Sequence, residues 1–351
     1  MSTGELWRMP AEWSRHRRTW IAWPTGGHAD GVAAEDLAEA RTAWATVVRA
    51  VALFEPVTLV ADPADVADAR RSMRGGPTAF GVDVVSAALD DAWMRDTGPT
   101  FVLGRDGRLG AVDWVFQGWG GQDWAVWEHD RHLASAVADR AGAERVPSPL
   151  VAEGGALHVD GAGTVLLTES VLLDPARNPG LVRADVEDEL ARTVGATTCV
   201  WLPRGLTADH GAHGTRGHVD LVAAFAAPGT VLLHWQPDPA HPDHAVSLEL
   251  EGLLSGARDV RGVPLEVVRV PAPSTLEDGT DWVSWSYVSH AVVNGGVVAP
   301  AFDDARDREA HVLLRRLYDG RRVVGVDARA VFDRGGGLHS VTQQEPEERS
   351  G

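Results

Sequence analysis

The sequence predicts a single α/β domain built as a closed ring of five ββαβ modules, an α/β propeller. Three observations lead there. Hairpin dipeptides recur at Asp106-Gly107, Asp160-Gly161, Pro228-Gly229 and Asn294-Gly295, at intervals of 54, 68 and 66 residues, and such pairs between apolar runs supply the backbone conformations that tight β-turns require. After each of the last three comes a helix-like stretch and then an apolar strand, so one supersecondary unit repeats. The chain also begins partway through a unit and ends one strand into another, which lets its two ends complete a fifth unit and leave no terminal edge.

Taken in order, TWIAWP reads as a strand, residues 36–54 as a helix and VTLVAD as the next strand. The first hairpin, TFVLGRDGRLGAVDW, is followed by the Gly- and Trp-rich FQGWGGQDW and is the least regular module. The second is ALHVDGAGTVLLTES, with the helix LVRADVEDELARTVG and the strand TTCVWLP. In the third, LVAAFAAPGTVLLHW, the Pro-Gly pair is expected in a loop longer than two residues; HAVSLELEGLLSGA and LEVVRVP come next. The fourth is HAVVNGGVVAPAF with DREAHVLLRRLY and RRVVGVD, and GGGLHSVTQQ closes the chain as a polar strand. No Pro/Gly/Ser linker interrupts the sequence, so residues 1–351 form one domain with its core over about 9–344 and a frayed polar tail beyond.

A chain of 351 residues with 44% hydrophobic residues supports a substantial core. Fifty acidic against 32 basic side chains give a net charge of −18, which repels nucleic acid and favours small cations, although solubility alone also accounts for it. Cys199 is the only cysteine, so neither an intrachain disulfide nor a thiolate metal cage can form, and its apolar strand-like surroundings suit a small core residue. Residues 1–10 contain no apolar signal segment, and no run approaches the roughly 18 apolar residues of a membrane span, so no membrane partner and a cytoplasmic location are expected.

Polar residues recur where the modules begin. They are Asp96 in WMRDTGP, Glu153 in EGGALH, His218 and Asp220 in GHVD, and His339 with Ser340 in GGGLHS. A strand would place His218 and Asp220 on one face. Singly, each has a plainer role: Asp96 as a turn cap, Glu153 as a loop carboxylate, His218 as a hydrogen-bonded structural imidazole. Their recurrence at matching module positions points instead to one shared site. The run DHGAHGTRGHVD also offers His210, His213, His218 and Asp220 as metal ligands, but it holds three glycines and no helical i, i+4 pair, so no metal is expected.

The segments MPAEW, WIAWP, WMRDTGP, FQGWGG, EGG, LLDPARNP, WLPRGL, GHVD and GGGLHSVTQQ, running from Met9 to Gln344, resemble in kind and order those of the agmatine deiminase family. That family belongs to the guanidino-modifying, or pentein, superfamily with the Porphyromonas-type peptidylarginine deiminases. The resemblance implies a five-bladed α/β propeller and hydrolysis of a guanidino group to a ureido group with release of ammonia, agmatine giving N-carbamoylputrescine on the way to putrescine and the polyamines. It implies no cofactor. By motif, Asp96 and Asp220 would grip the planar guanidinium through paired N–H···O bonds, Glu153 would support the site and position the histidine, and His218 would shuttle protons. Trp93 and Trp119 would wall the pocket and stack on the cation.

In that family the nucleophile is a cysteine; this chain has Ser340. A serine hydroxyl needs a base during attack, and loss of a hydrolase nucleophile costs on the order of 10⁶ in turnover. Three readings are open: a deiminase using serine, a non-catalytic guanidine binder, or a deiminase whose cysteine was exchanged to trap a ligand. A metal-dependent hydrolase is a more distant alternative. Two further departures are Gln122, where GWGG is commonly followed by lysine, and Arg216, where an acidic residue is expected. Beside the pocket, a cationic Arg216 would favour arginine or another guanidino acid over agmatine. The expected partner is a small guanidino compound; a homodimer is compatible with the sequence but fixed by nothing in it.

Overall fold

The computed structural model describes residues 7–26, 34–76, 78–211, 213–278 and 281–348. Its strands are β1 (His16–Ala22), β2 (Val57–Ala61), β3 (Val82–Ser86), β4 (Thr100–Leu103), β5 (Leu109–Val115) and β6 (Glu144–Val151). They continue with β7 (Leu157–Val159), β8 (Thr164–Thr168), β9 (Thr198–Leu202), β10 (Ala223–Ala227), β11 (Thr230–Trp235) and β12 (Glu266–Pro271). The remainder are the small pair β13 (Glu277–Asp278) and β14 (Asp281–Trp282), then β15 (Ala291–Val293), β16 (Gly296–Ala301), β17 (Arg322–Asp327) and β18 (Thr342–Pro346).

Four sheets share one pairing rule: an antiparallel hairpin whose second strand pairs in parallel with a third. They are β4-β5-β6, β7-β8-β9, β10-β11-β12 and β15-β16-β17. The fifth, β18-β1-β2-β3, obeys the same rule with the chain ends in place of the hairpin, since β18 lies antiparallel to β1 and β1 parallel to β2. Each parallel step needs a crossover. The helices Ala34–Val51, Val66–Ser72, Leu133–Ala141, Arg183–Thr193, Asp243–Gly256 and Asp307–Leu317 supply them.

Two expectations about turns and ends are corrected. Pro228 and Gly229 form a two-residue turn, because Ala227 pairs directly with Thr230 and Gly229 takes φ +84°, while Pro fixes the negative φ before it. The C-terminal tail begins later than expected, since Glu345, beyond the boundary at 344, is buried in β18 with Gln343 and Gln344. Trp20 Nε1 donates to Glu345 Oε2 at 2.8 Å, so this polar strand is retained by the seam between the chain ends. Cys199 lies on β9 as expected but is only partly buried, and burial pushes its thiol up to about 12, far from reactivity.

The segments that lead into the first strand of each module matter most for the site. Met94–Thr97 precedes β4, Gly154–Ala156 precedes β7, Val219–Val222 precedes β10 and Leu338–Val341 precedes β18, and all are single helical turns. GHVD and GGGLHS are therefore not strands where the polar residues sit. His218 immediately precedes its turn, at φ −52° and ψ 139°, and Asp220 lies inside the turn, so the two share a site without strand alternation. Glycine makes the last of these turns possible: Gly335 has φ +99°, a Cβ on Gly336 would lie 2.5 Å from the Trp93 ring, and one on Gly337 would collide with Ser289 Oγ.

Candidate active site

Four of these turns bring their polar side chains together. Asp96, Glu153, His218, Asp220 and Ser340 are all buried. Asp96 is fixed at both oxygens: Trp119 Nε1 donates to Oδ2 at 3.0 Å and the Gly155 amide to Oδ1 at 3.1 Å. Burial pushes its carboxyl up to about 6, against the pull of the nearby His218.

Glu153 lies behind His218. It accepts Arg177 Nε at 3.0 Å on Oε1, and its Oε2 is 3.2 Å from His218 Nε2. Burial alone would raise its pKa, but Arg177 and His218 outweigh it and hold the group ionised. The other ring nitrogen of His218, Nδ1, is 3.8 Å from Asp96 Oδ1. Burial disfavours charge on this ring, yet Asp96, Glu153 and Asp220 together lift it to about 9, so the resting imidazole is a cation at neutral pH.

Asp220 directs Oδ2 to His339 Nδ1 at 2.8 Å and to Ser340 Oγ at 3.5 Å. Its Oδ1 is buried with no hydrogen-bond partner among the described residues. An ionised carboxylate with one bare oxygen inside a protein is unusual unless a ligand is to fill it. Ser340 Oγ accepts the Gly337 amide at 3.2 Å. Above it is a narrow slot lined by Trp93, Asp96, Trp119, Trp124, Thr215 and Ser340, with Trp119 and Trp124 stacked at 5.4 Å between centroids.

Several contributors were not singled out in the sequence. Arg177, from LLDPARNP, is fully buried and ties Glu153 to Asp174 and to the Thr215 carbonyl. Asp209 organises the loop before His218, accepting the amides of Thr215, Gly217 and His218 and the Thr215 hydroxyl. Within the histidine-rich run, His213 lies against Trp124 while His218 binds Glu153. A buried arginine must find a carboxylate, which was the available signal for Arg177. Removing it strands the Glu153 charge, so Arg177→Met is expected to cost about 3–5 kcal/mol of stability, measurable by urea unfolding.

Gly155 shows why EGG carries two glycines. A Cβ there would lie 2.5 Å from His218 Nδ1, 2.9 Å from Asp96 Oδ1 and 3.1 Å from Asp220 Oδ2, so hydrogen at this position keeps the centre of the site open. Gly155→Ala is expected to abolish ligand binding with a loss of stability small beside that of Arg177→Met, which titration and scanning calorimetry together would check.

Trp93 and Trp119 line the slot, and Trp119 presents its N–H to Asp96 and its face to Trp124. Arg216 does not. It stands at φ +72°, half exposed, with Nε 3.7 Å from Asp174 Oδ2, and it is absent from the slot lining. Gln122 bridges the GWGG segment to the loop by donating to the Gly214 carbonyl at 2.6 Å.

The family model described as Porphyromonas-type peptidyl-arginine deiminase matches residues 8–346. A Streptomyces coelicolor protein provisionally named agmatine deiminase is 56% identical over 97% of this chain and 98% of its own length. The agmatine deiminase of Stutzerimonas stutzeri is 38% identical over 96% and 95% of the two chains. Among solved structures, the agmatine deiminase of Enterococcus faecalis superposes with a TM-score of 0.89 at 29% identity, covering 98% of each chain. No helix among the described residues is long and apolar enough to cross a membrane. With a match over nearly its whole length, the chain belongs to the Porphyromonas-type peptidyl-arginine deiminase family.

Proposed function

We propose that this protein is a hydrolase of the agmatine deiminase type, which holds the guanidinium of agmatine between Asp96 and Asp220 over Ser340 and converts it to a ureido group with release of ammonia. The observation that carries this reading is the bare Oδ1 of Asp220, a carboxylate whose other oxygen is 3.5 Å from Ser340 Oγ, next to the slot that Ser340 and Asp96 line. Two carboxylates on either edge suit a flat, forked cation. Agmatine is preferred to arginine as the substrate because Arg216, the residue that would receive a carboxylate, is turned toward Asp174.

In the chemical sequence, Ser340 Oγ attacks the guanidinium carbon as its proton passes to Asp220 Oδ2, 3.5 Å away, giving a neutral tetrahedral adduct. His218, charged at rest, donates a proton to one terminal nitrogen, and ammonia leaves as the C–N bond breaks. The neutral imidazole then takes a proton from water, whose oxygen attacks the carbon of the isourea ester. Collapse of the second adduct passes the proton of its new hydroxyl to Ser340 Oγ as the C–O bond to serine breaks and the ureido product is released; the proton first taken by Asp220 leaves with ammonia as ammonium. One water is consumed and one ammonia released, with no redox change.

The weak step is the first. A protonated His218 cannot accept the serine proton, and Asp220, held well ionised by His339, is a poor base. Slow turnover with intact binding is therefore expected. Ammonia release and ureido formation, measured with agmatine and arginine side by side, test the reading; no binding of either guanidine would overturn it.

These protonation states define a pH window. Below about 6 Asp96 is protonated and one edge of the clamp is lost, while above about 9 His218 is neutral and the leaving group has no acid. The pH profile of kcat/KM is expected to be bell-shaped between these limits.

A further inference from the structure

Behind the Leu338–Val341 turn, away from the slot, Glu12, His158 and His339 form a buried trio with their polar atoms within 4.8 Å of one another. A small void beside them is also lined by Arg95 and Gln344. Two imidazoles and a carboxylate first suggest a metal. His158 argues otherwise. Its Nδ1 accepts the Phe225 amide at 3.1 Å, so the neutral ring carries its proton on Nε2, the nitrogen 3.5 Å from Glu12 Oε2. That nitrogen donates to Glu12 and has no lone pair for an ion.

Glu12 is accordingly an acceptor on every side. Val292 N–H donates to Oε1 at 2.8 Å, and Oε2 faces His158 Nε2 and, at 3.2 Å, His339 Nε2. The second nitrogen of His339 reaches Asp220 Oδ2 at 2.8 Å. With a carboxylate at each end, both nitrogens of His339 must donate. We propose that Glu12, from the N-terminal MPAEW segment, and His339 form a buried relay in which His339 is an imidazolium that pins Asp220 through Oδ2 and leaves Oδ1 bare for the cation. Glu12 and His339 are thereby positioning residues for the clamp, and the link to guanidine binding rests on the function proposed above.

The surroundings agree. Burial and the neighbouring Arg95, whose Nε donates to the His339 carbonyl at 3.3 Å, oppose charge on the ring, but Glu12 and Asp220 prevail and its pKa is raised. Glu12 is held well below the usual carboxylate range despite its burial. Two other imidazoles nearby stay neutral: burial lowers His158, and it drives His290, bonded to the Tyr287 carbonyl and Tyr318 hydroxyl, down to about 4. Because His339 directly precedes Ser340, one helical turn sets both the clamp and the nucleophile position.

Two measurements test the relay. In ¹⁵N-histidine NMR of the ligand-free protein at pH 8, an imidazolium signal should be present beside that of His218, vanish in His339→Gln, and become a neutral ring in Glu12→Gln. A neutral His339 in the unsubstituted protein overturns the proposal, and that spectrum decides even if neither variant folds. By calorimetry, His339→Gln should weaken agmatine binding about tenfold or more, the size of one lost charge-assisted contact. Binding of the uncharged-headed N-carbamoylputrescine should change by less than about threefold, on the same reasoning. Equal losses for both ligands, or none, would reduce the trio to packing and overturn the proposal. Failure of the unsubstituted protein to bind agmatine would instead count against the proposed function, leaving the NMR result to judge the relay.

Discussion

Replacing Ser340 with cysteine is expected to raise ammonia release from agmatine by about 10³-fold or more, toward the on-the-order-of 10⁶ penalty that loss of a hydrolase nucleophile carries. The reason lies in the protonation states around Oγ. His218 is lifted to about 9 by Asp96, Glu153 and Asp220 against its burial, so at neutral pH it is an acid before it can be a base. A serine must lose its proton during attack and finds no competent acceptor, because Asp220 is committed to His339. A thiol needs none at that moment. It ionises near pH 8.5 in isolation and lower beside His218 and a guanidinium, so the anion is present before attack. Ammonia assays on both forms check this, and equal rates would show that proton removal at position 340 does not limit the reaction.

The second large effect is on binding. Asp220→Asn preserves shape but removes the charge and presents an amide in place of one acceptor, and a guanidinium held by two such bonds should bind about 100-fold more weakly. The variant also loses the counter-charge to His339, so a small change in stability is expected alongside. Calorimetric titration with agmatine at pH 7.5 separates the two effects. Asp96→Asn should be milder at pH 6, where this carboxyl is already half protonated, than at pH 8.

Much of this was legible in the sequence because the signals were local. Turn dipeptides located the hairpins, and helical and strand periodicities located the helix and strand after each, so the order of the modules needed no long-range information. The polar residues were found through their recurrence at module starts, which reflects a fold that feeds its loops to one place. The misses depended on geometry that no local pattern encodes. The single helical turns at GHVD and GGGLHS are too short to show a period, so they read as strand. Arg177 and Asp209 work through carboxylate and amide partners far away in sequence or hidden in loop conformation. Glu345 read as part of a solvated tail because only the pairing of β18 with β1 and the indole of Trp20 explain a charged residue under cover. Arg216 was placed beside the pocket by its position two before His218, but its left-handed backbone turns the side chain away.

The most direct test is a crystal structure of the protein with agmatine bound, which slow turnover at Ser340 should permit. The guanidinium should lie edge-on to Asp96 and to Oδ1 of Asp220, with its carbon about 3–3.5 Å from Ser340 Oγ, the separation of a near-attack geometry. A guanidinium seated elsewhere, or the ammonium end of agmatine over Ser340, would contradict the assignment of these carboxylates as its clamp.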